Sequence, residues 1–370
     1  RIVANSPGLH SSESITKSEL LQRKAENNLP DPELNGEYQW GQAGVGDKWS
    51  IGISQSFEWP GVYQARNKAN AQAAVAADAR IRSEYMDKML DVKLLLIEYV
   101  AIRQRIQILE KIKEHVSDLN TFYKNAYDHG ETTVIDLNKS TIELAEIKSR
   151  YNAALNDLSA ATEAIQKEAG ITPVDTWLVN IDQFPAETML TEDQYTALIN
   201  TADQSIRYAD ASYKAAQYDA KAAKRSSVAP GFSLGYTHIY ELGDNFNGVS
   251  VGLSLPVFSA KGKYKAATYQ VSALHREYES AIADRISEMK SCRSQAVRMS
   301  EELAEISPVV LDKRPAELLL KALKGGEISL LTYLQELNFF LEAQLDYTDT
   351  LRDYHILMAR LNRYAAMLPN

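Results

Sequence analysis

The placement of proline and glycine constrains this chain more than any motif. No proline occurs between Pro60 and Pro173, Pro185 and Pro230, Pro256 and Pro308, or Pro315 and Pro369. After Gly61 the next glycines are Gly130 and Gly170, and after Gly262 they are Gly325 and Gly326. Inside a helix a proline costs ~3 kcal/mol and a glycine ~1 kcal/mol, so such spans permit very long helices. Apolar spacing agrees. Ile102, Ile106, Leu109, Ile112, Val116, Leu119 and Phe122 recur in steps of three and four, as do Leu137, Leu144, Ile147, Tyr151, Leu155 and Leu158. A narrow apolar stripe with charged flanks is the pattern of coiled-coil packing. A helix over 61–129 would be on the order of 100 Å long at ~1.5 Å per residue, so the spacing predicts a molecule that is rod-like at least in part.

The glycines gather elsewhere, around Gly36–Gly52 and Gly231–Gly252, and there the period changes to two. Trp49, Ile51, Ile53, Phe57 and Trp59 alternate with Ser50, Gly52, Ser54, Ser56 and Glu58. Phe232, Leu234, Tyr236 and Tyr240 alternate with Ser233, Gly235 and Thr237; Val249, Val251, Leu253, Leu255 and Val257 alternate with Ser250, Gly252, Ser254 and Pro256. These are strands with one apolar and one small, polar face, with turns expected at Gly46-Asp47 and Gly243-Asp244.

The chain also repeats itself at an offset near 200. Ile51-Gly52-Ile53-Ser54 returns as Val251-Gly252-Leu253-Ser254, Gly61-Val62-Tyr63 as Gly262-Lys263-Tyr264, and Gly130-Glu131 as Gly326-Glu327. With Asp31-Pro32-Glu33-Leu34 sitting where Ala229-Pro230-Gly231-Phe232 sits later, four landmarks in order indicate an internal duplication. The fold class is mainly α with a small β part, built from a duplicated helix, β-hairpin, long helix, helix unit. In the first repeat, 1–169, a short leading helix precedes a hairpin at about 36–59, a long helix at about 61–129 and a return helix at about 131–169. A linker follows at 170–192. The second repeat, 193–370, has a leading helix at about 193–227, a hairpin at about 231–258, a long helix region at about 260–324 and a return helix at about 327–368.

Strands of roughly ten residues match the ~9–11 of a tilted membrane-spanning strand. Tyr38, Trp40, Trp49, Trp59, Tyr240 and Phe258 fall near the expected strand ends, where an interfacial aromatic girdle would lie. Trp49, Ile51, Ile53, Val249, Val251 and Leu253 would then face lipid. Four strands cannot close a barrel, and open edges are not tolerated in lipid, so a membrane form must oligomerise; three chains supply twelve strands and an open lumen. The alternative is a soluble coiled-coil scaffold or adaptor whose hairpins bind a partner protein.

Composition removes other classes. A net charge of −9 opposes general nucleic-acid binding, which needs basic surface. Cys292 is the single cysteine, so neither an internal disulfide nor a cysteine-based zinc site can form; it reads as a small buried residue. No apolar run reaches the ~18 residues of a membrane helix, and no signal-peptide pattern follows Arg1. His10, His115, His129, His238, His275 and His355 are scattered without metal-ligand spacing, and Met86 and Met89 read as helix-seam packing. No phosphate loop, nucleophile elbow or carboxylate pair with a base is present, so no catalytic, cofactor or metal residue is expected.

Gln55-Ser56-Phe57-Glu58-Trp59-Pro60-Gly61 between strand and long helix, preceded by Leu29-Pro30-Asp31-Pro32-Glu33-Leu34, resembles the TolC-like outer-membrane efflux proteins. Gly326-Glu327-Ile328-Ser329-Leu330-Leu331 is similar to that family's signature at the periplasmic hairpin tip. The likeness covers about Asn5 to Leu368 and leans toward the heavy-metal (CzcC/CusC-like) subgroup. It implies a homotrimer with a twelve-stranded β-barrel in the outer membrane, continued by a long α-helical coiled-coil tunnel in the periplasm. It further implies a periplasmic adaptor protein and an inner-membrane pump as partners, and passive export of small solutes such as metal ions or drugs. An N-terminal lipid anchor would lie upstream of Arg1.

The resemblance also places residues. Gly130, Gly325 and Gly326 would form the hairpin tips, and acidic residues just beyond would narrow the periplasmic aperture. Here that position holds Asp136 in the first repeat but Thr332 and Gln335 in the second, with Glu336 adjacent and ~100° away around the helix. Asp136 has a second reading. It lies three residues after Thr133, the spacing of a capping box, and a carboxylate in a helix's first turn favours the helix dipole.

Overall fold

The computed structural model describes residues 6–169, 178, 181–258, 261–312 and 314–367. Most of the linker expected at 170–192, and the ends of the family likeness at Asn5 and Leu368, fall outside these residues. In order, the elements are α1 (Pro7–Ala25), β1 (Glu33–Gln39), β2 (Lys48–Phe57), α2 (Pro60–Asp128), α3 (Val134–Ala169), α4 (Glu192–Ala202), α5 (Gln204–Ser226), β3 (Gly231–Glu241), β4 (Asp244–Ser254), α6 (Lys263–Val310), α7 (Arg314–Lys324) and α8 (Leu330–Leu361), with a closing 3-10 turn at Asn362–Met367. The two-fold succession of helix, hairpin, long helix and return helix is thus present. α2 runs 69 residues without a break.

Contacts divide the chain into two compact units, Leu9–Glu84 with Asp203–Asp284, and Arg1–Gly8 with Tyr85–Ala202 and Arg285–Asn370. The first holds the sheet. Its strands lie in the order β1-β2-β3-β4, all antiparallel, which leaves β1 and β4 as edges. Four helix termini meet the same end of these strands, because the hairpins close the other. Beneath the strands, Val62 and Ala65 of α2 pack on Ala222 of α5, and Arg225 donates to the Gly61 carbonyl at 2.6 Å.

The second unit is held by helix seams. Leu109, Val116 and Leu119 of α2, Ile147 and Ala154 of α3, and Tyr333, Leu337 and Leu341 of α8 form one buried cluster. Tyr99, Ile102, Ala161, Ile165 and Leu178 form another.

Several boundaries depart from the sequence expectation. The leading helix expected over 193–227 is two helices, because Asp203 adopts an extended backbone and caps α5, accepting from Ser205 N at 2.8 Å and Ile206 N at 3.0 Å. The long helix region expected over 260–324 is broken between Val310 and Arg314. In a continuous helix the ring of Pro315 would clash with the carbonyl of Leu311, whereas in the first turn of a new helix it is tolerated. The hairpin expected at 36–59 starts earlier, at Glu33, and its second strand ends at Phe57, so Trp59 lies beyond the sheet; the one expected to reach 258 stops at Ser254, ahead of Pro256. The return helices start at Val134 and Leu330, three residues later than expected in each case, and the second gives way at Leu361 to the 3-10 turn. Met86 is buried as expected, but Met89 is exposed.

The second hairpin turn also differs. Its central residues are Leu242 at φ 55° and Gly243 at φ 97°, not Gly243-Asp244. Positive φ at both positions is the two-residue turn that matches strand twist, and it favours Asn-Gly. A leucine there is strained. Leu242→Asn is therefore expected to stabilise the fold by about 0.5–1 kcal/mol, read as a higher thermal midpoint of the full chain in detergent; a lower midpoint would show that the Leu242 side chain matters more than its backbone.

Candidate functional site

Two places carry the chemistry: the sheet faces, and the tips where the long helices reverse. On the sheet, cross-strand partners share a face. The register aligns Leu34, Ile53, Tyr236 and Val249 across the four strands, and Gly36, Ile51, His238 and Asn247 in the next row of that face. Trp49, Ile51, Ile53, Val249, Val251 and Leu253 all lie on it, and the last three are each more than 70% exposed. Its ends are aromatic. Tyr38, Trp49 and Tyr240 pair across at the turn end, with Trp49 stacked on Tyr240 at 6.0 Å between centroids, and Phe57 stacks on Phe232 at 5.5 Å near the helices. Between Trp49 and Phe57 the strand advances about 26 Å at ~3.3 Å per residue, which at the ~35–45° tilt of a barrel strand spans roughly 20 Å of a ~25 Å apolar band.

The opposite face is small and crowded. Gly52 faces Thr237, Gly235 faces Ser250, and Gly252 faces Ser233. A Cβ on Gly235 would come within 2.6 Å of Ser250 Oγ, and one on Gly52 within 3.0 Å of Thr237 Oγ1. A Cβ at these positions would press on the hydroxyls and backbone of the neighbouring strand, so this face stays small while the other carries the apolar side chains.

At the tips the two repeats use one geometry. Gly130 at φ 74° and Gly326 at φ 73° end their helices in the left-handed conformation. Glu131 N donates to Ala126 O at 2.8 Å and Gly130 N to Tyr127 O at 2.9 Å; Glu327 N donates to Ala322 O at 2.9 Å and Gly326 N to Leu323 O at 3.0 Å. This is the Schellman closure, which satisfies the last carbonyls of the helix. Gly325 does not adopt positive φ, so it is not the residue that turns the second tip.

The return helices are then capped alike. Thr133 Oγ1 accepts from Asp136 N at 3.2 Å, and Ser329 Oγ accepts from Thr332 N at 3.1 Å. Asp136 takes a hydrogen bond from the Thr133 hydroxyl at 2.9 Å and lies 3.6 Å from Lys139 Nζ. Thr133 is the capping side chain, and Asp136 contributes its backbone amide and a first-turn carboxylate that accepts from the Thr133 hydroxyl. Thr332 occupies the same place in the second repeat, its hydroxyl 2.9 Å from that of Ser329, while Gln335 and Glu336 are exposed further along α8.

Behind the tips lies a set of polar groups in the helix seam that sequence reading missed. Ser140 and Glu143 are buried among the positions that Ile147 and Ala154 continue. Seam spacing was the available signal, since both stand in the stripe of Leu137, Leu144 and Ile147. Burial holds the Glu143 carboxyl above the usual carboxylate range, against a hydrogen bond from Asn338 that pulls it down. His115 contacts the Tyr333 hydroxyl; burial lowers the His115 imidazole and raises the Tyr333 phenol to about 12. Arg150 bridges Glu146 and Glu342, tying α3 to α8, and Arg105 on α2 holds Asp349 of α8 at 2.9 Å.

Among the described residues, no group of three or more His, Cys, Asp or Glu is placed to hold a metal ion, and no helix is long and apolar enough to cross a membrane. Cys292 is buried in α6, which raises its thiol.

No protein-family model and no curated protein matches the sequence. Solved structures do match the fold. The outer-membrane channel CmeC of Campylobacter jejuni superposes with a TM-score of 0.81 at 14% identity, over 98% of this chain and 83% of that one. CusC, whose structures are described in terms of folding and transmembrane channel formation, gives 0.79 at 16% identity over 98% and 90%. The outer-membrane protein VceC of Vibrio cholerae gives 0.76 at 13% identity over 99% and 93%. The chain therefore has the fold of the TolC-like channels.

The buried Glu143 generates a test. Its raised native pKa means the unfolded chain releases the proton first, so ionisation opposes the fold as pH rises through the native value. Glu143→Gln should raise the thermal midpoint at pH 7, and the gain should vanish below about pH 4 where both states are neutral. A variant destabilised equally at both pH values would mean that Gln cannot occupy the site.

Proposed function

We propose that this chain is the outer-membrane channel of a tripartite export system, a passive duct for small solutes from periplasm to exterior. The carrying observation is the sheet. It has one small, polar face and one exposed apolar face, and β1 and β4 each keep one edge without a partner strand. Three copies joined edge to edge would give twelve strands, with the small face lining a lumen. The likeness in fold to CmeC and CusC supports the same reading. In it, the helices continue the duct into the periplasm, and the tips at Gly130 and Gly326 lie at its far end, where a periplasmic adaptor and an inner-membrane pump engage. The duct performs no reaction, and the pump selects the cargo, metal ions or drugs among the candidates.

Fractionation of cells and native mass of the detergent-extracted full chain test the proposal. Outer-membrane sedimentation and a three-chain mass are expected; a detergent-free monomer that keeps its hairpins would support the soluble scaffold instead.

Two substitutions probe the parts. Val249→Arg, mid-way along the outward face, should cost ~2–4 kcal/mol and impair assembly, whereas Ser250→Arg, on the opposite face, should alter conductance of assembled channels. Normal assembly of the first with failure of the second would reverse the assignment of faces. At the aperture, Asp136→Asn should lower cation preference in single-channel recordings, since three carboxylates near one axis attract cations. If only thermal stability fell, by the ~0.5–2 kcal/mol of a lost cap, Asp136 would be a cap and nothing more.

A further inference from the structure

Where strands meet helices, the charge balance inverts. The chain carries a net charge of −9, yet residues 59–77, 220–240 and 255–276 contain no Asp or Glu. The first stretch holds Arg66 and Lys68, the second Lys221, Lys224 and Arg225, and the third Lys261, Lys263, Lys265 and Arg276. They occupy the start of α2, the end of α5 and the start of α6, all next to the same end of the sheet. The acids nearby are Glu58, Asp219, Glu26 and Asp31, the last two on the connection from α1 to β1, and Glu33, which opens β1.

These charges sort onto two sides. Arg66, Asp219 and Lys263 line one cavity of about 600 Å³ together with Glu58, Arg23 and Ser254. Ser254 belongs to the small face of the sheet, where it pairs with Gly231. On this side the charges are matched: Arg66 holds Glu58 at 2.6 Å, and Arg23 holds Asp219. Lys68, Lys221 and Lys265 each come two residues after a cavity-lining charge, about 200° around the helix, which turns them to the opposite side. That is the side of the apolar face. All three are exposed, and none forms an ion pair with a described residue. Lys221 and Lys265 instead lie over the rings of Tyr218 and Tyr269, at 4.6 and 6.0 Å, and Tyr269 is 68% exposed. Lys265 also stands in the first turn of α6, where the dipole opposes positive charge and no acidic residue of that turn offsets it. Exposed Leu255, Val257 and Phe258 lead into this basic zone from the sheet.

We propose that this outward basic belt, with its tyrosines, docks the headgroups of anionic phospholipids in the periplasmic leaflet. The inference rests on the membrane reading above. An apolar face ending in tyrosines and unpaired lysines matches a bilayer surface in order: acyl chains, interface, phosphate. The belt would fix the depth of the barrel and keep the strand–helix joint at the membrane surface. The other end of the sheet repels the same headgroups, because Glu37, Asp47, Glu241 and Asp244 gather there against Lys48 alone.

The test uses the full chain reconstituted into bilayers of phosphatidylcholine alone or mixed with phosphatidylglycerol, followed by detergent extraction and native mass measurement of retained lipid. Preferential retention of phosphatidylglycerol is expected, about fivefold per contributing lysine at low salt, and lost at high salt. Lys68→Gln/Lys221→Gln/Lys265→Gln should abolish the preference, while Lys263→Gln, on the cavity side, should keep it. Equal retention of both lipids by the unmodified chain overturns the proposal, as does equal loss in the Lys263→Gln control. Displacement of the lipid by inorganic phosphate in detergent would reduce the belt to a simple anion site and also overturn it. Insertion into both bilayers without lipid preference defeats this inference and leaves the channel standing; insertion into neither defeats both.

Discussion

The two-residue alternation of β2, β3 and β4 is the constraint on which the rest depends. A strand sends successive side chains to opposite faces, so Gly, Ser and Thr at most positions of one face, with Ile239 and Phe246 at its turn end, leave it too thin to form a core. Gly52, Gly235 and Gly252 leave that side without side chains at their positions, while Val249, Val251 and Leu253 stand exposed on the other. The four helices of this unit cannot cover them, since they join the strand ends and run away from the sheet. At roughly 25 cal/mol per Å², an apolar face of this kind is stable only against something other than water. Lipid and further copies of the chain are what the channel proposal supplies.

The duplication is carried most faithfully by the tips. Both repeats close a helix with Gly-Glu in the same Schellman geometry and open the next with a hydroxyl three residues on. Backbone demands explain this fidelity. Only glycine reverses the chain at φ near +74° without strain, and a return helix needs its first amides satisfied. The residue three beyond the cap is under no such demand, which is why Asp136 can become Thr332. The long helices have diverged further: α2 is continuous, whereas Pro308 sits inside α6 and Pro315 opens α7. Gln344 of α8 donates to the Val310 carbonyl at 3.4 Å, meeting one of the groups that the break releases.

What the sequence made legible was long-range periodicity and strong backbone punctuation. The strand faces, the tip glycines Gly130 and Gly326, and the order of elements could be read because each rests on a pattern many residues long or on a residue with no substitute. The breaks could not. Asp203 ends α4 through a side chain that competes for backbone amides, a local choice that apolar spacing does not register. The joint before α7 depended on a single ring, that of Pro315. Leu242 occupies a conformation its type avoids, so composition pointed to the neighbouring Gly243-Asp244 instead. Met89 lies exposed because a spacing of three residues leaves it ~60° from Met86 around the helix, enough to leave a narrow seam.

The polar groups missed in the seams show how the second unit balances specificity against strength. An apolar stripe can slide by a turn with little penalty, but Glu143 against Asn338, His115 against Tyr333 and Arg150 against Glu342 each match at one register of α8 on α2 and α3. Arg150 and Glu342 remain substantially exposed, so that pair contributes little net stability. Glu143 even opposes the fold when ionised. What such groups add is a large cost for the wrong register, where a buried carboxyl would lose its partner. The apolar cluster from Leu109 to Leu341 supplies the adhesion, and the polar pairs decide which alignment it holds.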